Sequence, residues 1–271
     1  MAQKAASNLF SGEIPENYDE FLYSLFFEPY AIDLTERIIA LNPKNILEVA
    51  CGTGIVTQHL LKAIPPSATI TATDINPGML ALAKQKVAND DRVKLQVVDA
   101  HALPFEDNSF DCIFAQFGVM FYGDKPAAYA EAMRVLQPGG TFIFNTWDAM
   151  SENPIALIAM ELLTEYFPDN PPSFFNIPFS YFNPDVIKAD LMQGGYKNIS
   201  ITSLSATGKG ANSLDIARGL LKGTPMYNEI AERNYDLLPV LIEALSARLT
   251  TVYGSENLKV PLKAFVVTAE K

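Results

Sequence analysis

Residues 46–54, Ile-Leu-Glu-Val-Ala-Cys-Gly-Thr-Gly, carry an apolar run into a carboxylate, Glu48, and then into small residues at Ala50, Gly52 and Gly54. Glycine lacks a Cβ and takes positive φ without strain, so a ligand can approach such a backbone closely. The spacing predicts a buried strand that breaks into a glycine turn at the start of a helix beginning at Ile55. Unpaired N–H groups at a helix N-terminus add donors to that turn. Together these features describe a cradle for a nucleotide-type ligand. A second carboxylate, Asp74, follows Gly54 by 20 residues at the end of a β-branched stretch, and a third, Asp99, closes another. A carboxylate accepts two hydrogen bonds at once, which suits a pair of neighbouring hydroxyls.

Other reactive side chains are scarce. His59 and His101 are the only histidines, and Cys51 and Cys112 the only cysteines. His59 lies on the helix after the glycine turn and reads as structural. His101 follows Asp99-Ala100 at the rim of the cradle and is the one candidate general base. Two cysteines are too few for a disulfide framework or a zinc site, and both read as small buried hydrophobes. No metal site is expected. Tyr122, Tyr181 and Tyr227 are further polar groups that the sequence does not rank.

The elements that must hold these residues alternate. Strands are predicted at 46–50, 68–75, 93–100, 110–117 and 141–146, with helices at 55–63, 77–88 and 126–136 between them. Pro77 sits at a helix first turn, where its missing N–H costs nothing. Such βαβα order argues for a parallel sheet with helices on both faces. Ahead of it, Phe21, Leu22, Leu25, Ile32, Leu34, Ile38 and Ile39 keep helical spacing over 18–41, with Pro29 expected to divide two helices. Pro138-Gly139-Gly140 reads as a turn. After Trp147 the alternation stops, and 148–182 is rich in proline and aromatics. Helical spacing returns at 184–193, a strand is expected at 198–203, two or more amphipathic helices at 212–250, and a last strand at 264–268.

The chain has 271 residues, 49% of them apolar, enough for one large α/β domain with additions. No apolar run approaches the ~20 residues of a membrane span, and residues 1–15 lack the apolar core of a signal peptide. A soluble cytoplasmic protein is the expectation. With a net charge of −11 and no Lys/Arg cluster, a nucleic-acid partner is not expected.

The glycine spacing separates two kinds of cradle. In the dinucleotide fingerprint G-x-G-x-x-G, counted from Ala50, the third glycine falls on Ile55. Here the last glycine comes earlier, at Gly54, with Glu48 inside the motif. The pattern acid-x-small-x-Gly-x-Gly resembles motif I of the class I S-adenosylmethionine (SAM) methyltransferases, with Ala50 where a glycine is common. Further matches extend the resemblance: Asp74, Leu103-Pro104-Phe105 followed by Ser109-Phe110-Asp111, Arg134-Val135-Leu136-Gln137-Pro138-Gly139-Gly140, and Ala264-Phe265-Val266-Val267-Thr268-Ala269. It is nearest the branch with the ubiquinone/menaquinone C-methyltransferases and many small-molecule O- and N-methyltransferases. The resemblance implies a Rossmann-like, doubly wound, mostly parallel seven-stranded sheet with an antiparallel last strand. It implies Glu48 at the SAM ammonium, Asp74 at the ribose, Ile75 and Met79 about the adenine, and Asp99 and Ala100 at its edge. Cys51, Gly52, Gly54, Gln116, Phe117 and Tyr18 complete the implied cofactor contacts, with Tyr30 a further residue that closes over SAM or packs beneath the helices.

Methyl transfer from a sulfonium is an in-line displacement that needs alignment and a dry site more than a catalytic cluster. The end of strand four, Ala115-Gln116-Phe117-Gly118, lacks the elements that amino-methylating DNA enzymes, cytosine C5 enzymes, protein-arginine enzymes and magnesium-dependent catechol enzymes use there. That leaves a small, hydrophobic or aromatic acceptor, bound under a cap formed by 148–182 and 212–256. The core then comprises 1–147, 183–211 and 257–271. A catalytically silent SAM-binding protein and an NAD(P)-dependent oxidoreductase remain the alternatives, and monomer and dimer are both open.

Overall fold

A computed structural model describes residues 9–87 and 90–271. Seven strands form one sheet: β1 (Asn45–Val49), β2 (Thr69–Asp74), β3 (Val93–Val97), β4 (Phe110–Gln116), β5 (Leu136–Trp147), β6 (Asn198–Asn212) and β7 (Glu256–Glu270). Their order is β3-β2-β1-β4-β5-β7-β6. Neighbours from β3 to β5 are parallel, while β7 runs antiparallel to both β5 and β6. The order reverses between β1 and β4, and at such a switch point the carboxyl ends of the strands open a crevice for ligands. The fold is the Rossmann-like α/β architecture expected.

Helices α1 (Ile14–Leu22) and α2 (Glu28–Ala40) precede the sheet, joined by a π-helical turn, Tyr23–Phe27. The expected break at Pro29 is therefore displaced. Pro29 stands in the first turn of α2, where no intrahelical donor is lost, and the irregularity lies upstream. The wider turn rephases the helix, so Phe26 and Phe27 are buried with Leu25, while Ile32 and Ile39 are exposed. Between strands run α3 (Ile55–Leu61), α4 (Pro77–Val87) and α5 (Lys125–Val135), the last capped by Asp124, whose side chain accepts from the Ala127 N–H at 3.0 Å.

Three further differences have local causes. Pro138-Gly139-Gly140 is not a free turn. The β4–β5 register jumps from Phe110↔Leu136 to Cys112↔Thr141, so these residues bulge within β5, with Gly139 at φ 78°. Within 148–182 lies a helix the sequence did not announce, α6 (Pro154–Tyr166), and α7 (Pro184–Gln193) follows. β6 and β7 are each 15 residues long and pair as one antiparallel ribbon from Asn198↔Glu270 to Asn212↔Glu256. β5 covers only the Ala264–Glu270 half of β7. Pro261 falls in the other half, where one edge needs no donor. Between these strands come α8 (Ser213–Lys222), α9 (Met226–Asn234) and α10 (Leu238–Tyr253). Among the described residues, no helix is long and apolar enough to cross a membrane.

Candidate functional site

The chain leaves β1 through backbone that few side chains tolerate. Ala50 takes φ 58°, Gly52 55° and Gly54 78°. The two glycines do different work. A Cβ on Gly54 would stand 3.1 Å from that of Ala83, so its absence lets α3 and α4 close together. In front of Gly52 there is nothing within 4 Å, which is the room a ligand needs. The turn is fixed at its base by the Cys51 N–H, which donates to the Thr73 carbonyl at 2.8 Å.

Two buried carboxylates flank it. Glu48 accepts from the Thr57 hydroxyl. Burial pushes its carboxyl up to about 8 against the opposing pull of that bond. Asp74 accepts from the Gly52 N–H and the Asn76 N–H, both at 2.8 Å. Burial raises it too, and these backbone donors counter the rise. Asn76, not Asp74, caps α4: its side-chain oxygen accepts from Gly78 at 2.8 Å and Met79 at 3.1 Å. Asp74 is thereby held at one end of the crevice with lone pairs left for a ligand.

α1 lies across this cradle. The Asn76 amide donates to the Phe10 carbonyl at 2.7 Å, and the Thr53 hydroxyl to Asp19 at 2.6 Å. Lys86 of α4 pairs with the same Asp19. Tyr18 is brought in with them, its phenol raised by burial and by the facing charge of Asp74. At the far rim, Asp99 accepts from the His101 N–H at 2.9 Å and stands 2.7 Å from its Nδ1. The His101 Nε2 takes the Asp124 N–H at 3.3 Å. Both ring nitrogens are thus engaged. The Tyr122 ring meets His101 edge-on at 5.8 Å, and its hydroxyl is buried with no hydrogen-bond partner among the described residues.

Beside the cradle opens a pocket of about 590 Å³, counting its mouth. Its walls come from five regions. Phe10, Tyr18, Leu22, Phe26 and Phe27 belong to the N-terminal segment, and Phe117, Met120 and Phe121 to the turn after β4. Trp147 ends β5 and Ala156 lies on α6. Phe174, Phe175, Pro178 and Phe179 come from the aromatic stretch, with Leu220 and Thr224 at α8. Among the described residues, no charged side chain lines it. Tyr18 stacks on Phe27 at 4.7 Å and Phe117 on Trp147 at 3.9 Å with 8° between planes. Phe117 itself has φ 51°.

The structure therefore gathers Glu48, Ala50, Cys51, Gly52, Gly54 and Asp74 with Ile75 and Met79 about one turn, and sets Asp99, Ala100 and His101 on the loop after β3. Tyr18 and Phe117 face the pocket. Gln116 points elsewhere, its amide donating to the Phe27 carbonyl at 3.0 Å in the π-helical turn. His101 is not among the pocket residues. Tyr30 is core, edge-on to Phe117 and Trp147, and Tyr181 bonds Asp190 at 2.8 Å. His59 meets the Tyr23 hydroxyl at 3.2 Å. Phe26, Phe27 and Phe121 were missed in the sequence, although three large aromatics near proposed site segments were a signal. Leu220 and Thr224 fall within the expected cap segment 212–256, where nothing in the sequence singles them out.

Comparison with known proteins agrees with this geometry. A family described as "Methyltransferase domain" matches residues 47–144. A demethylmenaquinone methyltransferase of Staphylococcus aureus is 44% identical over 97 residues, 36% of this chain and 40% of that protein. The match thus spans well under half of the curated relative. Among solved structures, phosphoethanolamine N-methyltransferase 2 of Haemonchus contortus superposes with TM-score 0.58 at 17% identity, covering 95% of this chain and 56% of its own. The YcgJ protein of Bacillus subtilis gives 0.55 at 19%, covering 89% and 98%. These two likenesses establish the fold. Residues 47–144, with their acid-x-small-x-Gly-x-Gly turn and braced Asp74, are thus similar to a methyltransferase domain, set in a chain with the methyltransferase fold.

Proposed function

We propose that this protein transfers the SAM methyl group to a small, apolar, ring-bearing acceptor held in the aromatic pocket. The observation that carries the reading is the shared wall: Tyr18 and Phe117 bound the pocket on the side of the polar cradle. The residues present fit the cofactor. The open space before Gly52 admits it, Asp74 is oriented for its ribose hydroxyls, and Glu48 offers a carboxylate to its ammonium. Ile75 and Met79 supply apolar surface for the adenine, with Asp99 and Ala100 at the edge. SAM, when bound, supplies a methyl group already activated on a sulfonium.

The chain's own contribution is alignment and exclusion of water. Ring walls suit a hydrophobic acceptor and strengthen electrostatic interactions by keeping the site dry. Burial keeps the Tyr18 phenol protonated, and among the described residues no carboxylate, lysine or histidine lines the pocket. The acceptor atom must therefore attack with a lone pair or electron density it already carries. His101, tied at both nitrogens, orients the loop after β3. The segments 148–182 and 212–256 act as the cap.

Thermal unfolding with excess SAM, S-adenosylhomocysteine or NADH tests the cofactor. At about 100 times its dissociation constant a ligand adds roughly 2.7 kcal/mol to the native state. Stabilisation by the first two and not by NADH is expected. Labelled methyl transfer to a panel of apolar aromatic and polar acceptors then tests the activity. Binding of SAM with no transfer to any ring-bearing acceptor would favour a silent SAM-binding protein.

A further inference from the structure

Cradle and pocket meet at one point in the backbone. β4 ends at Gln116, and Phe117 turns the chain at φ 51° so that its ring stacks on Trp147 in the pocket. The next residue, Gly118, lies against the other site. A methyl carbon built on Gly118 would stand 2.5 Å from the Ala50 Cβ. Saturated carbons settle at about 3.5–4.0 Å, so that approach is strongly repulsive.

Neither side can readily give way. Ala50 already holds a left-handed conformation at φ 58°, unusual for a residue with a Cβ. Its neighbours are tied down, Cys51 to the Thr73 carbonyl and Gly52 to Asp74, each at 2.8 Å. On the opposite side, Gln116 is anchored to the Phe27 carbonyl, and the Phe121 N–H donates to the Gly118 carbonyl at 3.1 Å. The methyl of Ala50 therefore fills the space that a side chain at 118 would need.

We propose that Gly118 is a positioning residue for methyl transfer: it receives the Ala50 methyl, and this contact sets the spacing between the cofactor cradle and the acceptor pocket. The proposal rests on the reading of the 48–54 turn as the SAM cradle. A Cβ at 118 must either push the 50–52 turn away from Asp74 or lift Phe117 off Trp147. Displacements of about 1 Å can cost an aligned displacement reaction some 100-fold. Removing the Ala50 methyl restores the room.

The test is a cycle of four proteins: wild type, Gly118→Ala, Ala50→Gly, and the double variant. S-adenosylhomocysteine is titrated by calorimetry, the unfolding midpoint is measured without ligand, and KM and kcat are compared. Gly118→Ala is expected to weaken S-adenosylhomocysteine at least ~10-fold and to lower the midpoint, while the double variant returns to within ~3-fold of Ala50→Gly, the non-additivity of residues in contact. Wild-type affinity together with wild-type KM and kcat in Gly118→Ala, or a double variant no better than Gly118→Ala, would overturn the proposal. If Gly118→Ala does not fold, a folded double variant supports the contact and an unfolded one overturns it. Should the wild type itself fail to bind S-adenosylhomocysteine, the proposed function falls instead, and recovery of the unfolding midpoint in the double variant still decides whether the two positions interlock.

Discussion

The cradle and the pocket adjoin, yet they are built from opposite chemistry. The cradle is backbone N–H groups, hydroxyls and carboxylates, each with a named partner: Gly52 and Asn76 on Asp74, Thr57 on Glu48, Thr53 and Lys86 on Asp19. The pocket is rings on rings. Directed bonds select one ligand and fail sharply when one partner is removed. Ring walls select by shape and burial, and losses there are graded. One half of the site is thus specified for a single cofactor, while the other can be retuned for different acceptors by exchanging rings.

The sharpest separation of the halves is Asp74→Ala. It removes charge-assisted bonds on one side only, and about 100-fold weaker S-adenosylhomocysteine binding is expected. An acceptor analogue should bind as before, measured by calorimetry on both proteins. Equal losses for both ligands would dissolve the distinction. The pH dependence should also belong to the cradle. With the Glu48 carboxyl at about 8, SAM must ionise it on binding, so affinity rises by up to ~10-fold per pH unit toward 8, with proton release below that. Glu48→Gln should flatten this slope. The same group has its folded pKa raised above an unfolded value of 4.5. Its favourable contribution to stability is therefore present below 4.5 and lost as pH rises through 8, so the stability of the ligand-free Gln variant should gain on wild type across that window.

On the pocket side, Phe174→Leu should raise acceptor KM by about 10-fold, the scale of a methylene or two of lost packing, with S-adenosylhomocysteine affinity within about twofold. A shift in the cofactor alone would place Phe174 in the wrong half. The smallest effect is expected from Lys86→Ala. A partly exposed ion pair is worth about 0.2–1 kcal/mol, so release of S-adenosylhomocysteine in stopped flow should quicken only two- to fivefold as α1 loosens.

The same contrast explains what could be read in advance. The cradle is local: nine consecutive residues and two strand-end acids carry it, and their types are forced by positive φ and by hydrogen bonding. The parallel sheet was legible because its central strands β1 and β4, buried on both faces, are short apolar runs between helical periods. The pocket is assembled from five distant regions, and aromatic side chains serve a core and a binding wall equally well. The π-helical turn carries no glycine or proline to announce it, so Phe26 and Phe27 went unremarked. α6, Pro-Ile-Ala-Leu-Ile-Ala-Met at its start, is apolar nearly all round and showed no stripe. β6 is a partly exposed edge strand rich in Ser, Thr and Gly, and its alternation is too weak to reveal its full length.

The π-helical turn at Tyr23–Phe27 also fixes a phase. Each residue of an α-helix advances the chain by about 100° around its axis. The wide turn therefore works as a dial between α2, which is bedded on the sheet, and α1, which spans the cradle. Winding the same five residues as regular α-helix, with none removed, would turn α1 by roughly a quarter of a revolution. Tyr18 would then leave the Phe27 stack and Asp19 would swing away from Thr53 and Lys86, unlatching the cradle's cover through a change of winding alone.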